Sequence, residues 1–451
     1  MDKKTHRILF YTYHPRAFRT TLIGHLYEVA QSFPVILLSE QLDPETENII
    51  HDKQYFPNVE AIIKVNQFTG VRKNILKHNK ALYQLAKRVV KQYDPDIIIT
   101  GSDMHSLFDL YLTRIGKRKG ARVIAIQPAV NVADASKRSL WQDLTNAYQK
   151  FPIWLPLFLR LIFVQWRKYA GHSIHYYVLP LLVGEKPFFG KSSHILRKGN
   201  SGMRNSDCQV GFSQWDYDIF QQDGVPSERI FILPHPLMRE TRKFFEKVYL
   251  HSEDKHHEQG KTITFMLQGD IPIGFRREDY SLISLEDRIQ TWKAILSTTV
   301  QLLPHWKIFI KPHPATMILD LLQERLVSIA DSITLVNAHE PSDIYIEQSD
   351  IIVGLPFSGT TTLYTASLQC PEKPILALDI HHEFLGDVYR NFEGIEYVDS
   401  MEAFMPILRA IKDNVYQKKY NNQSITIENR TFNNTIDVIN QVLKKKRTPC
   451  M

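Results

Sequence analysis

The stretch WKIFIKPHP, residues 306–314, decides the reading of this chain. A short run of isoleucine and phenylalanine ends abruptly at Lys311-Pro312-His313-Pro314, where two prolines fix the backbone and remove ladder donors. A fully buried parallel strand has this composition, being covered on both faces rather than alternating. Working outward, the same signature recurs as TITFMLQGD (262–270), SITLVNA (332–338), DIIVGLP (350–356), KPILALD (373–379) and GIEYVD (394–399). In the first half it recurs as RILFYTYH (7–14), PVILLS (34–39), AIIKVN (61–66), DIIITGS (96–102), RVIAIQP (122–128), DCQVGFS (207–213) and RIFILP (229–234). Stretches of helical period lie between them, at 19–32 and 79–92, then at 285–303, 316–329 and 360–369. The alternation predicts an α/β chain with two Rossmann-like doubly wound domains facing a cleft, whose ligands gather at the carboxyl ends of the strands.

The 451 residues exceed what one core usually organises, in keeping with two domains. The polar segment SEDKHHEQGK, residues 252–261, reads as the linker. A first Rossmann-like domain is therefore expected over 1–251, interrupted by an apolar insertion around 135–205. A second is expected over 262–425, with a helix and basic tail over 426–451. Three scattered cysteines argue against a disulfide framework or a zinc site, and the N-terminus lacks the pattern of a signal sequence, so a cytoplasmic protein is expected. The net charge of +7 is spread along the chain, and no nucleic-acid-binding motif accompanies it.

Residues 150–168, KFPIWLPLFLRLIFVQWRK, break the rhythm. The apolar run is too short to span a bilayer and carries Pro152, Pro156 and Arg160. It reads either as an interfacial segment on an anionic membrane surface, with Trp154 and Trp166 at headgroup level, or as a buried core helix or a subunit contact.

Lys311 and His313 supply donors on a rigid turn at a strand's carboxyl end, an arrangement suited to a phosphate. Beyond the strand DIIVGLP come Ser358, Gly359, Thr360 and Thr361, a strand-to-helix loop in which glycine permits close approach and hydroxyls and N–H groups can hold phosphate oxygens. Plain N-capping would use the same residue types. Gly269 after TITFMLQ and His339 after SITLVNA are further candidates for contact with a nucleotide. A metal is not expected: the adjacent His381 and His382 lack the i, i+4 spacing of a zinc helix.

The KPHP turn, the serine and threonine loop and the phrase GVPSERIFILPHP (224–236) resemble the GT-B glycosyltransferases of bacterial surface-polysaccharide synthesis, above all the capsule polysialyltransferases and the CDP-glycerol glycerophosphotransferases. The resemblance implies a nucleotide-sugar donor, CMP-, CDP- or UDP-linked, used as substrate without a separate cofactor. It also implies a glycan or lipid-linked acceptor, with His313, Pro314, Ser358 and Thr360 on the donor phosphate. The UDP-N-acetylglucosamine 2-epimerases share the fold and a similar Gly-x-Pro-x-x-x-Ile phrase, and stay open as an alternative. Transfer to a hydroxyl requires a base. Asp103, with His105 beside it, and His14 follow strands of the first domain and are the candidates.

Overall fold

The computed structural model describes residues 6–13, 18–40, 42–66, 75–101, 106–127, 155–156, 158–159, 178–185, 206–212, 214–222, 225–236, 239–249, 260–267, 274–275, 281–313, 316, 318–338, 340, 342–355, 362–383, 394–418 and 431–444. They form two compact units.

Unit 1 contains the strands β1 (Ile8–Thr12), β2 (Val35–Ser39), β3 (Val59–Lys64), β4 (Ile97–Thr100), β5 (Arg122–Ile126), β6 (Cys208–Gly211) and β7 (Ile230–Ile232). Its helices are α1 (Ile23–Ser32), α2 (Pro44–His51), α3 (Ile75–Tyr93), α4 (Leu107–Lys119), α5 (Gln214–Gln222) and α6 (Arg242–Tyr249). All seven strands are parallel, in the order β3-β2-β1-β4-β5-β6-β7. The order turns back between β1 and β4, which makes that point the switch of a doubly wound sheet. Every residue of β1, β2 and β4 is buried, which explains why their sequences are continuous apolar runs.

The C-terminal helix, Thr435–Lys444, belongs to unit 1 and packs on α1 through Val438, Ile439 and Val442. A polar knot holds it there. Thr435 donates its hydroxyl (2.5 Å) and its N–H (2.9 Å) to Glu28 of α1, while Arg239 grips the same carboxylate at 2.6 and 2.7 Å. Since the Thr435 hydroxyl donates to Glu28, its oxygen accepts from His25 Nδ1 at 2.8 Å, which fixes the neutral Nδ1–H tautomer of that buried ring.

Unit 2 contains β8 (Thr262–Leu267), a two-residue hairpin of β9 (Gly274–Phe275) and β10 (Leu282–Ile283), β11 (Lys307–Lys311), β12 (Ile333–Leu335), β13 (Ile351–Leu355), β14 (Ile375–Leu378) and β15 (Glu396–Val398). Helices α7 (Leu285–Leu302), α8 (Leu319–Leu326), α9 (Ser342–Gln348), α10 (Thr362–Gln369) and α11 (Met401–Lys412) alternate with them. The six-stranded parallel sheet runs β12-β11-β8-β13-β14-β15, and its switch lies between β8 and β13. Its core joins Ile263, Phe265, Ile308, Ile310, Ile351 and Val353 to Trp292 and Leu296 of α7. Ser284 and Asp287 close a reciprocal capping box at the start of α7. The hairpin was not anticipated, because two-residue strands carry no periodicity.

Candidate functional site

In unit 2 the register places Lys311 beside Met266 and Leu355 beside Leu267, so β11, β8 and β13 end together at one edge of the sheet. The residues that follow those three neighbouring strands are the KPHP turn, Gly269 and the loop with Ser358, Gly359, Thr360 and Thr361. His339 follows β12, next in the sheet. Gly269, Pro314, His339, Ser358, Gly359, Thr360 and Thr361 themselves lie outside the described residues. The strands that feed them are four consecutive neighbours, β12-β11-β8-β13, with the switch between the last two.

Lys311 is buried, and its ammonium donates to the carbonyls of Pro312 at 3.1 Å and Ala338 at 2.8 Å. In the structure these two bonds tie the turn after β11 to the turn after β12. Lys311 leaves a buried positive charge at the sheet edge. His313 is half-buried, and its carbonyl accepts from Thr316 N at 2.9 Å, closing the turn. The neighbouring turn is braced by the hydroxyl of Tyr345, which donates to Glu340.

Gly354 on β13 is a position where close approach is required. A Cβ there would lie 2.4 Å from Leu363 Cδ1, so glycine lets α10 seat directly on the strand that precedes the hydroxyl loop. On the other side of the edge, Arg288 of α7 binds Glu383 at 2.7 and 2.8 Å, both side chains being buried. Burial outweighs the attraction of Arg288 and pushes Glu383 up to about 7. Asp379, at the end of β14, accepts from Glu383 N (2.7 Å) and the Tyr397 hydroxyl (2.6 Å). The HHE sequence at 381–383 thus places its carboxylate in a structural ion pair.

In unit 1 the two acid–base candidates follow the two switch strands, His14 after β1 and Asp103 after β4. Both residues lie outside the described residues, as does His105. The flanks of the Asp103 loop are clamped: Thr100 at the end of β4 donates to Asp109 Oδ1 at 2.6 Å, and Asp109 forms a capping box with Ser106 at the start of α4. Sequence reading missed a third carboxylate at this edge. Glu40, directly after β2, accepts from the Tyr11 hydroxyl at 2.7 Å, and the same phenol oxygen lies 3.2 Å from Ser106 Oγ. Burial, with Asp109 and Glu40 nearby, raises the Tyr11 phenol well above its usual range, so it remains a donor to Glu40. No motif marks Glu40; only the parallel pairing of β1 with β2 brings it there.

His235, in the LPHP phrase before the linker, is buried within unit 1 against Phe212 and lies 3.2 Å from Thr21 Oγ1. Desolvation, reinforced by Arg239, lowers it to about 3, which makes it a neutral core histidine. Most of residues 150–168 lie outside the described residues. No helix among the described residues is long and apolar enough to cross a membrane.

These features define a GT-B-like fold: two Rossmann-type parallel-sheet units, each a doubly wound sheet with its own switch. No family model and no curated protein matches the sequence. Solved structures do resemble it. The UDP-GlcNAc 2-epimerase from Neisseria meningitidis, bound to UDP-GlcNAc, is 13% identical with a TM-score of 0.54, covering 97% of this chain and 99% of that one. The UDP-GlcNAc 2-epimerase from Methanocaldococcus jannaschii is 10% identical with a TM-score of 0.51, covering 97% and 99%. At these identities the likeness is one of fold.

Proposed function

We propose that the chain is an enzyme acting on a nucleotide sugar, and that it transfers the sugar to a surface-glycan acceptor. The observation that carries this reading is that the strands before Gly269 and Ser358 flank the switch of unit 2, where a doubly wound sheet takes its ligand, and that the strand ending in Lys311 is their neighbour. A buried cation beneath the turn and hydroxyls before α10 suit a diphosphate or phosphate leaving group, whose charge grows as the donor bond breaks. His313 and Pro314 with Ser358 to Thr361 hold the phosphate in this scheme. The carboxyl edge of the unit 1 sheet takes the acceptor, with Asp103, His14 or Glu40 removing the hydroxyl proton. A CMP-linked acidic sugar is the donor that the polysialyltransferase resemblance favours.

A second reading has its own support. The end-to-end likeness to two epimerases favours conversion of a UDP-linked sugar without any acceptor. Thermal-shift titration with CMP-sialic acid, CDP-glycerol and UDP-GlcNAc selects the nucleotide, since a ligand bound only by the folded state raises the melting temperature. Product analysis then separates the readings. Nucleotide release that depends on added glycan supports transfer; a changed sugar without acceptor supports epimerisation; no stabilisation by any of the three defeats both.

A further inference from the structure

Helix α3 contains no acidic residue between Ile75 and Tyr93. Its exposed cations are Lys77, Lys80, Lys87, Arg88 and Lys91. At about 100° per residue they occupy an arc of roughly 100°, and at 1.5 Å rise they extend over about 21 Å. One flank of this strip is occupied by residues 178–185, which are anchored at both ends. Buried Asn79 of α3 donates to the carbonyl of Leu179 at 2.8 Å while accepting from the Tyr111 hydroxyl at 2.6 Å, and buried Glu185 pairs with Arg118 of α4.

Beside and between these anchors the chain presents large aliphatic side chains outward. Val178, Leu181 and Leu182 are 46%, 55% and 58% exposed, and Leu76 at the start of α3 is 55% exposed. A folded surface normally scatters such residues singly. Here four of them border a five-cation strip with no intervening acid on the helix. A nucleic acid would engage the cations and leave the leucines in water. A bilayer with anionic headgroups satisfies both, because cations meet phosphate while aliphatic side chains enter the acyl boundary.

The geometry points to α3 and residues 178–184 of unit 1 as a docking face for an anionic lipid surface. The full-length protein is sedimented with vesicles of phosphatidylcholine, with or without about one third phosphatidylglycerol. The parent binds the anionic vesicles only, and loses them at high salt. K80Q/K87Q/K91Q weakens binding on the order of a hundredfold, at roughly fivefold per cation. L181S/L182S weakens it by roughly tenfold or more at unchanged salt dependence. Both variants change exposed residues and keep the parental melting temperature. Parental binding by either variant, equal binding to neutral vesicles, or no binding by the parent overturns the assignment.

Discussion

Acidification from pH 7.5 to pH 5.5 should loosen unit 1 selectively, through His25 and His235. Both rings are buried and neutral, and both lie well below their ordinary value because burial and the Arg239 charge oppose protonation. In the unfolded chain each takes up a proton near 6.5. Between that value and the folded one the unfolded state binds more protons, so stability is present above about 6.5 and is lost as pH falls. At pH 5.5 each histidine costs about 1.4 kcal/mol, and the pair together costs about 3 kcal/mol. The loss falls on the knot of Glu28, Arg239 and Thr435 that seats the C-terminal helix. Unit 2 provides an internal contrast: Glu383 is raised to about 7, so in its case the folded state binds the extra proton and acidification stabilises. Hydrogen exchange read by mass spectrometry on peptides from β1, α1 and residues 431–444 should show protection falling with pH, at a slope approaching two protons. H235Q should reduce that slope by about one proton. A unit 1 slope equal to that of unit 2, or one untouched by H235Q, refutes the assignment of these histidines as the acid-sensitive groups.

Three further outcomes are expected. K311M leaves the carbonyls of Pro312 and Ala338 without their donor, so it should lower unit 2 stability by about 2–3 kcal/mol and weaken nucleotide-induced stabilisation, measured by urea titration and thermal shift. G354A forces a Cβ against Leu363 and should cost about 1–3 kcal/mol, with loss of nucleotide binding exceeding loss of fold if the loop before α10 holds phosphate. H313A should depress turnover by tenfold or more, an effect larger than its effect on folding; unchanged turnover removes it from the site.

The thirteen parallel strands were legible as short apolar runs, unbroken where a strand is buried on both faces, as in VILLS and IIIT. Their order was not encoded in any one segment, yet the doubly wound rule put the candidate loops at strand ends, and the sheet order then made those strands neighbours. What remained hidden depends on distance along the chain. Glu40 meets Tyr11 29 positions away, Lys311 reaches a carbonyl 27 positions on, and His25 bonds a threonine 410 positions later. Local pattern holds no record of such pairs. Lys311 is an example: its residue type and turn mark it as a cation at a strand end, and the packed sheet adds the two carbonyls it holds.

The placement of the C-terminal helix bears on how the chain is made. Unit 1 is built from both ends of the sequence, with all of β8 to β15 synthesised between α6 and the segment that completes its core. At roughly 5–20 residues per second, a ribosome needs on the order of ten to forty seconds to cross that interval. During that time the face of α1 that will receive Val438, Ile439 and Val442 lacks that helix, although unit 2 can already close. The second-made half is therefore the first that can finish, and the nascent first half is the one that a chaperone would have to shield.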